Sequence, residues 1–189
     1  TDDRVKAAVA IYGCGGTLKW GNAGGDDFDP ENEDQRHWSF CFSPYQYASL
    51  QRGPMLFLNC TNDFFGWMDT AEELFEVLDV RHAAAFCPHH NHHLDDDVSN
   101  NLYEWMASHL NGEGVWWPVP ELSLKCRGGR LFAEVLSGTD SDEIEDIEIV
   151  VASNHVPSPS RYWHPCPAVD EIGAQAIVPI VNPDMPHSI

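Results

Sequence analysis

Pro54-Met55-Leu56-Phe57-Leu58-Asn59-Cys60-Thr61-Asn62-Asp63 is an apolar run that ends in a small polar turn bearing a carboxylate. A second apolar run, His82-Ala83-Ala84-Ala85-Phe86, ends in a loop bearing imidazoles, His89-His90-Asn91-His92-His93. Short, nearly continuous apolar runs bounded by turn residues read as strands covered on both faces, the pattern of a parallel sheet. The run Val5 to Ile11, closed by Gly13-Cys14-Gly15-Gly16, has the same character.

Helical patterns fall between and after these strands. Ala71, Leu74, Phe75 and Leu78 form one apolar stripe, and Asp69-Thr70-Ala71-Glu72 has the form of a capping box with Asp69 as the cap. A further helix is expected from about Val98 to Leu110, with Asn111-Gly112 as its stop. Residues 17–50 read as a long polar excursion spotted with aromatics, the kind of connection that is functional or carries small elements of its own. The resulting order (strand, long connection, strand, helix, strand, helix) implies an α/β fold with parallel strands and helical crossovers.

Composition changes near residue 112. Beyond Trp116-Trp117-Pro118, short β-type runs dominate: Leu122–Lys125, Leu131–Leu136, Ile144–Ala152 and Ala176–Ile180. The expected organisation is therefore a partial α/β domain over 1–112, then a small antiparallel β-sandwich-like domain over 113–189, itself read as incomplete.

Thirty acidic residues against ten basic ones leave a formal charge of −20. Such a surface repels phosphate backbones and anionic membranes, so neither nucleic acid nor membrane is an expected partner. No apolar run approaches the roughly 20 residues that span a bilayer. The six cysteines form no C-x-x-C pair, and several lie beside strand-like runs as small apolar residues would. Neither G-x-G-x-x-G nor a Walker motif accompanies the glycine turn at residues 13–16, and no cofactor is expected.

Asp63 has two readings: an aspartate bonding its own turn, or a residue that holds a histidine in the productive tautomer. The histidine at the next strand end favours the second. Within the cluster His92 is the chosen base and His93 the second candidate. A metal site is the competing reading of this cluster, but adjacent histidines rarely converge on one ion and no helical i, i+4 pair is present, so no metal ligand is assigned. Cys14, Gly15, Asn91 and His93 are expected to line the site, with Trp20 and Trp38 as substrate-side aromatics.

Three segments carry a resemblance: Arg4-Val5-Lys6-Ala7-Ala8-Val9-Ala10-Ile11-Tyr12-Gly13-Cys14-Gly15, Leu56-Phe57-Leu58-Asn59-Cys60-Thr61-Asn62-Asp63-Phe64-Phe65, and Pro88-His89-His90-Asn91-His92. Together with Trp105 to Gly112, they resemble the later half of the α/β-hydrolase fold. Their details are similar to a bacterial group related to acetyl-xylan esterases, dienelactone hydrolases and prolyl-oligopeptidase-type peptidases. The β-rich tail matches more loosely, through Arg161-Tyr162-Trp163. The resemblance maps the acid and base of a serine-hydrolase triad onto Asp63 and His92, in the chain order Ser, acid, His. It places the nucleophile upstream of the strand that begins near Val5.

No G-x-S-x-G occurs in the 189 residues, and Ser39, Ser43 and Ser49 read as loop or capping serines. The expectation is a fragment of a serine hydrolase, inactive alone, whose parent acts on a carboxylic ester (an acylated carbohydrate among the candidates) or a peptide. The expected partners are that substrate and the missing front half of the domain, without which an apolar sheet edge is exposed. The resemblance favours an extracellular or periplasmic location. Two other readings remain open, a non-catalytic hydrolase-like binding module and a metal-binding protein using the histidine cluster.

Overall fold

A computed structural model describes residues 2–13, 28–111, 120–128, 130–136, 148–152, 157–166, 170–172 and 175–179. The chain divides into two compact units, Thr1–Trp116 with Asn154–Arg161, and Trp117–Ser153 with Tyr162–Ile189. Where a single break near residue 112 is expected, the first unit thus also takes in a late segment.

The first unit is built on a parallel sheet of β1 (Ala8–Ile11), β2 (Met55–Cys60) and β3 (His82–Cys87), in spatial order β1-β2-β3 among the described residues. Ala8 pairs with Met55 and Ile11 with Leu58, while β2 and β3 run in register from Met55–His82 to Cys60–Cys87. This register brings Asp63 and the His89–His93 loop out at the same edge of the sheet, beyond the carboxyl ends of adjacent strands.

Strand β2 is covered on both faces, as its nearly continuous apolar run requires. Leu56, Leu58 and Cys60 pack with Val98 and Trp105 of α4 (Asp96–Leu110) on one face. On the other, Phe57 packs with Ala71, Leu74 and Leu78, which lie on or just beyond α3 (Met68–Glu76), and with Ala48. Leu56, Leu58 and Trp105 are wholly inaccessible to solvent. Each buried leucine contributes about 1.5–3 kcal/mol, which is why the middle strand anchors the unit.

Among its described residues, from 28 on, the polar excursion holds two helices, α1 (Glu33–Phe42) and the short α2 (Tyr45–Ala48). Asn32 caps α1, accepting from the backbone N–H groups of Asp34 and Gln35, and Glu33 and Asp34 complement the positive end of the helix. Ser39 is therefore a buried helical residue, while Ser43 and Ser49 follow the last turns of α1 and α2.

The expected capping box at Asp69 is corrected. Helix α3 starts earlier, at Met68 after Trp67, with no side-chain cap. The Asp69 carboxylate is instead engaged by a segment far along the chain. Its Oδ2 accepts from the Ser158 backbone N–H at 2.9 Å, and its Oδ1 meets the Arg161 guanidinium at 2.7 Å. A charged donor outcompetes the helix's own N–H groups for the carboxylate. Asn62 makes a second tie to the same segment, donating to the Arg161 carbonyl at 2.6 Å.

The second unit is antiparallel. Among the described residues, a four-stranded sheet has the order β4 (Glu121–Arg127), β5 (Arg130–Leu136), β9 (Gln175–Pro179), β8 (Asp170–Ile172), and a separate pair joins β6 (Ile149–Val151) to β7 (His164–Cys166). The β4–β5 hairpin turns at Gly128, which takes φ +59°, a conformation open to glycine at little cost. Lys125 pairs across this hairpin with Glu134. No helix among the described residues is long and apolar enough to cross a membrane.

Leu58→Ala should lower unfolding free energy by about 2–5 kcal/mol, because the emptied site lies between α4 and the sheet with little room to collapse. Urea denaturation followed by tryptophan fluorescence measures this, and a loss under about 1 kcal/mol would place Leu58 outside the core.

Candidate functional site

Asp63 sits three residues beyond β2 with its side chain fully buried, so both carboxylate oxygens need protein donors. The turn and the histidine loop supply them. Oδ1 accepts from the backbone N–H groups of Phe65 and Gly66, both at 2.7 Å, and Oδ2 accepts from His92 Nδ1 at 2.8 Å. Both sequence readings of Asp63 are compatible with this arrangement: one oxygen fastens the turn and the other orients the imidazole.

Gly66 is needed for this geometry. Its carbonyl accepts from Asn59 Nδ2 at 2.7 Å, and an added Cβ would lie 2.6 Å from that nitrogen and 2.7 Å from the Tyr12 carbonyl oxygen. Asn59, buried near the end of β2, accepts from the Cys60 N–H with its other end and so braces the turn from below.

The His92 loop is held at several points. The His89 N–H donates to Thr61 Oγ1 at 3.0 Å, the Asn62 N–H donates to the His90 carbonyl at 3.1 Å, and the Phe64 N–H donates to Asn91 Oδ1 at 3.2 Å. His89 takes φ 62°, which turns the chain sharply after β3. The acid and histidine turns are thereby stitched directly together.

Tyr12 also takes a left-handed backbone, φ 56°, unusual for a bulky side chain. That conformation lays its ring against the imidazole, with centroids 4.0 Å apart and planes 28° from parallel, while its hydroxyl accepts from the Leu94 N–H at 3.0 Å. Strain held in this way clusters at functional sites. Phe64 and Phe65 complete the surround, 5.4 and 5.6 Å from the His92 ring. Both are exposed, and 40% of the His92 side chain reaches solvent. With Nδ1 bound to the carboxylate, neutral His92 presents Nε2 as its basic nitrogen.

The sequence candidates separate clearly. Asp63, His92 and Asn91 come together. His93 is turned to other partners: its ring stacks with His90 at 6.0 Å, and its carbonyl accepts from His90 Nδ1 at 2.9 Å and from the Cys60 thiol at 3.3 Å. Trp38 is not brought to the Asp63–His92 pair; it lies on α1, its ring 6.4 Å from Phe42. Cys14, Gly15 and Trp20 lie outside the described residues, as do Trp116 and Trp117. Tyr12, Phe64 and Phe65 escaped the sequence reading as site residues. Their adjacency to the strand-end turns was the signal that could have found them.

An apolar hollow of about 310 Å³ lies on the α3 face of the sheet, lined by Ala10, Tyr47, Phe57 and Leu74 among others, and His92 is not part of its wall. Behind the histidine loop, Cys87 donates its thiol hydrogen to Asp95 Oδ2 at 2.8 Å, and Asp95 Oδ1 caps α4 by accepting from the Val98 N–H at 2.8 Å. Burial pushes the Cys87 thiol up to about 12, with the Asp95 hydrogen bond adding to it. The same thiol and the Val98 N–H hold Asp95 below the usual carboxylate range. Burial also raises Cys60.

Compared with models of known protein families and with curated proteins, the chain finds no match.

Two outcomes follow for the site's frame. Gly66→Ala should cost about 1–3 kcal/mol, since the Tyr12 carbonyl is backbone and cannot swing away; an unchanged melting temperature would show that the turn yields freely. In protein treated with chelator, Asp95→Ala should cost about 1 kcal/mol near neutral pH through the lost cap. Because the folded pKa of Asp95 is depressed, its contribution is present above the ordinary carboxylate range and fades as pH falls through the folded value. The gap between wild type and variant should therefore hold from neutral pH down to the ordinary carboxylate range and narrow as pH falls below it, and a gap that stays constant in acid urea melts would count against the linkage.

Proposed function

We propose that Asp63 and His92 are the acid and base of a serine-hydrolase triad whose nucleophile is supplied from outside residues 1–189, and that the substrate is a carboxylic ester. The observation that carries this reading is the 2.8 Å bond from His92 Nδ1 to a fully buried carboxylate, made between the ends of neighbouring parallel strands. An α/β-hydrolase sheet presents acid and histidine in this chain order. Among the described residues β1 pairs with β2 alone, which leaves its outer edge available to a preceding strand of such a sheet. In the same reading the antiparallel sheets of the second unit form an accessory β-sandwich.

The chemistry follows from the free nitrogen. Nε2 takes the proton from a serine Oγ as it attacks the ester carbonyl, then returns it to the departing alcohol. Water attacks the acyl-enzyme by the same proton route, and Asp63 stabilises the imidazolium throughout. Phe64, Phe65 and Tyr12 keep the ring's orientation and offer an apolar rim to an acyl group or a sugar face. An ester is favoured over a peptide, with an acylated carbohydrate among the candidate substrates.

The natural polypeptide carrying these residues, sequenced ahead of Thr1, should contain a G-x-S-x-G serine that a fluorophosphonate labels. In that polypeptide His92→Ala and Asp63→Asn should each lower kcat for an aryl acetate on the order of 10³–10⁴-fold. Residues 1–189 alone should neither label nor turn over ester. A natural polypeptide without a reactive serine, or full turnover in His92→Ala, would overturn the assignment.

A further inference from the structure

We propose that Cys87, His90 and Asp95 form a zinc site that clamps the loop carrying His92. One donor atom from each, the thiol sulfur, a ring nitrogen and a carboxylate oxygen, lies within 4.8 Å of the others. Thiolate, imidazole and carboxylate together suit zinc, and three protein ligands with one open position is a recurrent zinc arrangement. This inference stands independently of the hydrolase reading.

The three residues come from three places that the fold fixes. Cys87 is the last residue of β3 and fully buried, His90 is in the loop, and Asp95 is the cap of α4. Adjacent histidines alone would converge poorly; here a single histidine is joined by ligands from the flanking elements. The supports around the set are also present. His90 Nδ1 donates to the His93 carbonyl at 2.9 Å, the kind of second bond that fixes tautomer and ring orientation in zinc-bound histidines. Asp95 keeps Oδ1 on the Val98 N–H, which leaves Oδ2 for a metal.

Cys87 Sγ and Asp95 Oδ2 are 2.8 Å apart, a hydrogen-bonding separation. With zinc–sulfur and zinc–oxygen bonds of about 2.3 and 2.1 Å, tetrahedral ligands lie about 3.6 Å apart, so the pair must open by less than about 1 Å. The ion replaces the thiol hydrogen, which leaves to solvent as a proton, and no redox change is involved. Asp96 and Asp97, next in the chain, add negative charge that favours a cation. Residues 88–94, His92 among them, are then pinned at both ends and in the middle.

Protein purified without a histidine tag, stripped with chelator and titrated with cobalt(II), provides the test. The expected result is one equivalent bound, with a thiolate-to-cobalt charge-transfer band in the near ultraviolet that zinc abolishes. His90→Ala should weaken binding by more than the roughly 10–100-fold that loss of a merely supporting partner costs. Cys87→Ser should remove the band; because Cys87 is buried and its replacement can unfold the protein, His90→Ala decides the matter. No band, affinity unchanged by His90→Ala, or binding that depends on His93 and not on His90 would overturn the proposal.

Discussion

A carboxylate cut off from water must be satisfied by the protein or it will not stay there, and Asp63 is such a group. Its needs shape the surrounding chain. Two N–H groups must converge on one oxygen, so the chain turns tightly at Phe65 and Gly66. The turn must press against the Tyr12 carbonyl, so position 66 has no room for a side chain. The remaining oxygen must meet a donor from the next strand's loop, so the histidine loop is drawn across the sheet edge. Orientation of the imidazole is thus a by-product of satisfying the carboxylate, and the site inherits the rigidity of the core beneath it.

That rigidity comes from β2. Alternation along the strand sends Leu56, Leu58 and Cys60 toward α4 and Phe57 toward α3, so neither helix can shift without opening a void. Asn59 interrupts the apolar run without loosening it, because both ends of its amide are used, one on the Gly66 carbonyl of the turn and the other on the Cys60 N–H of its own strand.

Much of this was legible in the sequence. Continuous apolar runs such as Leu56–Cys60 name buried strands, and an acid and a histidine just past two such runs name a strand-end pair. The helices over residues 68–76 and 96–110 followed from their apolar stripes. What escaped depended on partners distant in the chain. Asp69 has the local form of a cap, yet Arg161 and Ser158 claim it. Tyr12 gives no local sign that its backbone turns left-handed to stack on His92. Helix α1 lies inside a polar, aromatic stretch whose apolar periodicity is weak, although Asn32 followed by two acids is a readable start.

The ties from Asn62 to Arg161 and from Asp69 to Ser158 join positions 99 and 89 residues apart within one unit. During synthesis the chain emerges from its amino end, and long-range contacts cannot form until both members exist. The strands, helices and acid–histidine pair of the first unit can assemble once α4 has left the ribosome. Its final stitches must wait for about 50 more residues, so the newborn domain passes through an interval in which the acid turn is built but still lacks its outer fastening.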